Sequence, residues 1–266
     1  MHVSAIVTVR NEEHNIGDLL DSLVMQEQPF EVIVVDAGSE DKTTDIIQSY
    51  HERFKFVRLY SEGGTRGEGR NFGIRMAKGD IVAMIDGDCI ANAFWAKELR
   101  EAIDEGADIV AGRTIAIGYA PFVKLSRVPV YYKGIDLTWP SCNLAYRKEV
   151  FDSIGGFDPW FRTAEDIDLN FRAINKDYKF VHRERAVVYH RERSTFFDFG
   201  RQAFWNGYGR KQLTLKHGSL WGNYKPTAMI EAGGMNMWYY IRLIVALLGY
   251  WTAKAKEKGP DQEERD

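Results

Sequence analysis

From residue 1 to 112 the chain alternates apolar runs with amphipathic stretches. HVSAIVTV reads as a strand. From Asn15 to Gln26, Ile16, Leu19, Leu20, Leu23 and Val24 recur at helical spacing. EVIVVDA predicts a second strand, Asp41–Tyr50 a helix, FKFVRLY a strand and Gly67–Ala77 a helix. DIVAMID then reads as a strand, Ala93–Ile103 as a helix and ADIVAG as a strand. These strands are nearly continuous apolar runs, the pattern of strands buried on both faces. Repeated βαβ order therefore predicts an α/β fold, a doubly wound and mostly parallel sheet with helices on both faces. Such sheets bind ligands beyond the carboxyl ends of their strands, here after Val9, Val35, Ile85 and Val110.

The second half is less regular. Residues 113–140 are rich in aromatics, Pro and Gly and read as a variable segment over the site. SCNLAYRKEVFDSIGGF reads as a short strand, a helix from Lys148 and a Gly-Gly stop. A helix is predicted over Glu165–Ile174, then two strands, YKFVH and AVVYH, then a long helix over Thr195–Lys216. Met237–Ala253 is apolar and aromatic apart from Arg242, and shorter than the roughly 20 residues a spanning helix needs.

Length and charge narrow the class. The 266 residues suit one large α/β domain with a helical extension. A net charge of −3 gives no sign of a nucleic-acid partner. Two cysteines, Cys89 and Cys142, exclude a disulfide-dense scaffold and predict free thiols in a reducing compartment. The N-terminal segment reads as a strand and not as a signal peptide.

The candidate chemistry gathers at the strand ends. Asp86-Gly87-Asp88 follows IVAMI. Two carboxylates at i and i+2 on an extended backbone share one side, and Mg²⁺ or Mn²⁺ is held by such oxygens together with substrate phosphates. An acidic surface turn is the alternative. Val9 leads into Arg10-Asn11-Glu12 and Val35 into Asp36-Ala37-Gly38-Ser39, where a carboxylate can accept from a base or ribose or merely cap a helix. Gly63–Asn71 is a Gly-rich segment entering a helix, with Arg66 and Arg70 suited to phosphate. Glu165, Asp166 and Asp168 crowd a helix start. All three suit the helix dipole, and for Asp168 that is the favoured account. Glu165 and Asp166 also follow a shaped loop, where a carboxylate can serve as general base.

IVTVRNEE, EVIVVDAGSEDKT, GEGRNFGI, IVAMIDGD, SCNLAYRKEVFDSIGGFDPWF and AEDIDLNFRA, in this order, resemble the inverting family 2 glycosyltransferases with the GT-A fold. The resemblance covers roughly residues 3–190. It implies a catalytic domain over 1–193, with a nucleotide-sugar half at 1–112 and an acceptor half at 113–193, followed by C-terminal helices over 194–266. It also implies that Glu12 and Asp36 contact the nucleoside, with Arg10 and Gly38 beside them. Arg70 and Arg66 then lie near the diphosphate, and Asp86 and Asp88 match the metal and diphosphate motif. His190 completes the metal site, and Asp166 with Glu165 supplies the base. A divalent metal and a nucleotide-sugar donor follow, with a glycan or lipid-linked acceptor. Arg201-Gln202-Ala203-Phe204-Trp205 departs from the Gln-x-x-Arg-Trp of processive members, which points to transfer of one sugar. The segment 237–253 has two readings, a helix packed on the domain core or, given its aromatic ends and the lysines to residue 258, peripheral contact with the cytoplasmic face of a membrane. A nucleotidyltransferase and a non-catalytic nucleotide-sugar or lipid binder on the same fold are the rival readings.

Overall fold

The computed structural model describes residues 1–118, 129–192, 195–218 and 237–256, with the side chains of 254–256 excepted. Residues 119–128 of the variable segment, and residues 257–266 of the charged tail with Lys258, lie outside the described residues.

The chain forms two compact units. The first comprises residues 1–116, 139–159 and 172–191, and the second comprises 117–138, 160–171 and 192–266. In chain order the first half contributes β1 (Val3–Val9), α1 (Ile16–Val24), β2 (Phe30–Asp36), α2 (Thr43–Arg53), β3 (Val57–Ser61) and α3 (Arg66–Met76). Then come β4 (Ile81–Met84), β5 (Cys89–Ala91), α4 (Trp95–Asp104) and β6 (Ile109–Ile117). The rest contributes β7 (Tyr131–Tyr132), β8 (Ile135–Asp136), β9 (Leu144–Arg147), α5 (Lys148–Ile154), α6 (Glu165–Asn175), β10 (Phe180–Arg191), α7 (Phe196–His217) and α8 (Met237–Lys256).

The main sheet has the order β3-β2-β1-β4-β9-β6-β10-β5. β3, β2, β1 and β4 run parallel, while β9 joins β4 and β6 antiparallel. The apolar runs are explained by burial on both faces. Val3, Ala5, Val7 and Val9 point into the core that holds Leu19, Leu20 and Leu23 of α1 and Trp95 and Leu99 of α4. Ile6 faces α3 instead, so closely that a Cβ on Gly73 would lie 2.5 Å from its Cγ2.

Two sequence expectations change. YKFVH and AVVYH form one strand, β10, because its residues pair without interruption past Arg185. The strand ADIVAG, with a ligand edge expected after Val110, continues to Ile117. The Gly-rich run is helical from Arg66, with Thr65 and Glu68 forming a reciprocal capping box. Gly73, inside the helix expected over Gly67–Ala77, lets α3 pack closely on β1.

In the second unit α7 and α8 pack tightly. A Cβ on Gly207 would lie 1.7 Å from Ala246 O, and one on Gly249 1.9 Å from Phe204 O. Glycines on both helices let the backbones approach. The opposite face of α8 exposes Met237, Tyr240, Ile244, Leu247, Leu248 and Trp251, an apolar stripe along most of the helix. Among the described residues, no helix is long and apolar enough to cross a membrane.

Candidate active site

The ends of β1 and β2 are tied together by their loops. Asp36 is buried at the end of β2 and accepts from the N–H groups of Gly38 and Ser39, both at 3.0 Å, and from Ser39 Oγ. Gly38 turns with φ +82°, a left-handed conformation that favours glycine. Ser39 Oγ accepts from Asn11 N at 2.9 Å, and Thr43 Oγ1 accepts from Glu12 N at 2.8 Å. Glu12 Oε2 accepts from Asn15 Nδ2 at 2.8 Å. Asp36 thus shapes the turn as a cap would, and it does so at the strand edge that the sequence assigned to a nucleoside. Arg10 is exposed beside this edge.

Asp86-Gly87-Asp88 is not extended. Cys89 N donates to Asp86 O at 3.1 Å and closes a turn, so the two carboxylates have separate partners. Asp86 accepts from Arg70 Nη2 at 3.0 Å. Arg70 is almost fully buried, and its guanidinium lies 5.4 Å from the Phe157 ring centroid. Burial pushes the Asp86 carboxyl up, but Arg70, Arg66 and His190 outweigh it and hold the pKa below the ordinary value. A Cβ on Gly87 would lie 3.0 Å from Val9 Cγ1 and 3.1 Å from Glu12 Cγ. Glycine there lets the acidic turn sit against the end of β1.

Asp88 meets the other partner set. β10 runs antiparallel to β5 with His190 opposite Cys89, which brings His190 Nε2 to 3.5 Å from Asp88 Oδ1. Ligand atoms of Asp88, Cys89 and His190 all lie within 4.8 Å of one another. Among the described residues, this is the one such group of three that could hold a metal ion. The Asp88 carboxylate is the hard oxygen donor that Mn²⁺ or Mg²⁺ takes, and the His190 imidazole is the softer donor of the pair. Cys89 is also drawn towards Cys142, and that contact and burial push its thiol well up. Cys89 escaped the sequence reading, because spacing does not reveal that β10 folds back onto it. Phe157 escaped because spacing does not reveal that it meets Arg70.

In the second unit, α6 begins with Glu165, Asp166 and Asp168. Glu165 and Asp168 are buried, while Asp166 is half-buried and its Oδ1 accepts from Ile167 N at 2.9 Å. Asp168 does more than face a helix dipole. It accepts from Lys216 Nζ at 2.7 Å, and His217 Nε2 lies 2.6 Å from it.

Residues 4–156, more than half of the chain, match the family described as Glycosyl transferase family 2. Glycosyltransferase AglE of Haloferax volcanii is 27 % identical over 229 residues, which cover 80 % of this chain and 74 % of that protein. The mannosyltransferase PcManGT from Pyrobaculum calidifontis, solved in complex with GDP-Man and Mn²⁺, superposes with a TM-score of 0.64 at 20 % identity. That match covers 99 % of this chain and 78 % of the other. S. aureus TarS 1-349, solved in complex with UDP-GlcNAc, gives a TM-score of 0.58 at 20 % identity, covering 96 % and 91 %.

Proposed function

Because the chain belongs to glycosyl transferase family 2 and has its GT-A fold, we propose that this glycosyltransferase works by metal-assisted inversion, moving one sugar from a nucleotide-sugar to an acceptor. The observation that carries the reading is the convergence of Asp88 and His190 beside the Arg70–Asp86 pair, at the carboxyl edge of the parallel strands. Glu12 and Asp36 accept hydrogen bonds from the nucleoside. Arg10, Arg66 and Arg70 bring positive charge to the diphosphate. Asp88 and His190, with Asp86 nearby, would hold the divalent ion. When bound, that ion neutralises charge on the departing diphosphate. GDP-Man with Mn²⁺ in one structural neighbour and UDP-GlcNAc in the other support this donor class.

Asp166, with Glu165 beside it, takes the proton from an acceptor hydroxyl. The hydroxyl oxygen bonds to the anomeric carbon as the bond to the diphosphate breaks, and the nucleoside diphosphate leaves from the opposite face. With a lipid phosphate as acceptor the nucleophile is already ionised, and Asp166 orients it. The apolar stripe of α8 supports contact with a lipid surface, lying in the interface and not spanning it.

The test is release of nucleoside diphosphate from UDP-GlcNAc and from GDP-mannose, with and without Mn²⁺. Turnover that needs Mn²⁺ and is lost in Asp88→Ala is expected. Metal-independent turnover, or no turnover of either donor, refutes the reading.

A further inference from the structure

Helix α7 carries Trp205, Gly209, Gln212 and Lys216 at spacings of four, three and four, which place them on one face. Each meets the segment that leads into Glu165 and Asp166. The Arg162 guanidinium lies 5.9 Å from the Trp205 ring centroid. A Cβ on Gly209 would come within 2.6 Å of Thr163 Cγ2 and 2.7 Å of Thr163 O. Gln212 is fully buried; its Nε2 donates to Trp160 O at 2.8 Å and its Oε1 accepts from Arg162 N at 3.2 Å. Lys216 donates to the buried Asp168 at 2.7 Å and lies 5.2 Å from the Phe161 ring centroid, and His217 reinforces the same carboxylate.

The stripe engages main-chain atoms of the loop. A buried amide satisfied at both ends cannot rotate without leaving polar groups unpaired. Ala164, directly before the acidic pair, has φ +65°, a left-handed conformation that an alanine holds only when its surroundings impose it. Gly209 and Gln212 grip both sides of that residue's approach, and Asp168 pins the first turn of α6 behind it.

We infer that this face of α7 is the template that positions Asp166, with Gly209 and Gln212 as positioning residues. The inference rests on the proposal that Asp166 is the base. Misplacing a reacting group by about 1 Å can cost on the order of 10²-fold in rate.

The test compares Gly209→Ala, Gln212→Glu and Asp166→Asn in the release of UDP from UDP-GlcNAc or GDP from GDP-mannose, with water as acceptor and Mn²⁺ present. Alanine is a better helix former than glycine, so loss of activity in Gly209→Ala cannot come from failure of α7 to form. Both α7 variants are expected to lower kcat by roughly 10–10²-fold while the donor KM stays within about twofold and the melting transition is retained. Wild-type kcat in both, beside an inactive Asp166→Asn, overturns the positioning role alone. A donor KM that rises in step with the fall in kcat, or a loss of folded protein that accounts for it, also overturns it. If Asp166→Asn is as active as wild type, or wild type turns over neither donor, the base reading fails and the inference with it.

Discussion

Replacing Glu31 with Gln tests how β2 is held beside β1 and β3. Glu31 is 5 % exposed. It accepts from Ser4 Oγ at 2.6 Å and Lys78 N at 2.7 Å, and it pairs with the Arg58 guanidinium. Burial pushes its pKa up, but Ser4, the Lys78 N–H and Arg58 outweigh that and hold the carboxyl below its ordinary value. The charged form is therefore part of the native state. Gln keeps the shape but turns one acceptor into a donor and removes the carboxylate facing Arg58, whose guanidinium still donates to Tyr60 Oη and Met76 O. A hydrogen bond to a charged group contributes about 1.5–3 kcal/mol, and breaking a buried pair costs about 3–5 kcal/mol. Arg58 keeps 21 % of its side chain in water, which recovers part of the loss. The expected cost is about 2–3 kcal/mol, or about 4–12 °C in Tm at roughly 2–4 °C per kcal/mol. The sign with pH follows from the lowered native pKa. The stabilisation is complete above the unfolded value of about 4.3 and is lost as pH falls through the native value. Circular dichroism melts of wild type and Glu31→Gln from about pH 7 to about pH 3 should show a gap that closes at the acid end. A variant as stable as wild type at neutral pH, or a gap of constant size across the range, would refute the reasoning.

Asp166→Asn should lower transfer by about 10²–10⁴-fold with donor binding by calorimetry unchanged, and wild-type turnover would remove Asp166 from the mechanism. Gly73→Ala places a Cβ 2.5 Å from Ile6 Cγ2 and should destabilise by about 1–3 kcal/mol despite the better helix propensity; an unchanged urea midpoint contradicts that packing. Ile244→Glu with Leu248→Glu, both on the exposed stripe of α8, should reduce co-flotation with anionic vesicles and leave Tm unaltered. Equal recovery would count against the membrane reading.

Much of the candidate site was legible because its residues follow strands that advertise themselves. Val3–Val9, Phe30–Asp36 and Ile81–Met84 are apolar on both faces, so Glu12, Asp36 and Asp86 could be assigned to one edge of a parallel sheet from their places after those strands. Asp168 was read as a structural acid at a helix start, but its partners were not legible. Three acids at a helix start look alike in one dimension, and the burial of this one depends on Lys216 and His217 about 48 residues later. The role of Gly73 was not legible: the sequence placed it in a helix, and only the 2.5 Å at which a Cβ there would meet Ile6 Cγ2 shows why it is glycine.

The sequence by itself determined the α/β class, the strand ends that carry chemistry and the order of the family's motifs, because periodicity and burial are local properties of a chain. Tertiary structure decided partners. The turn closed by Cys89 N sends Asp86 to Arg70 and Asp88 to His190, whereas an extended backbone would have aimed both carboxylates the same way. His190 arrives there through the antiparallel register of β10 on β5, and a register shift of one residue would point it to the other face. Such choices depend on contacts between residues far apart in the chain, which no local pattern encodes.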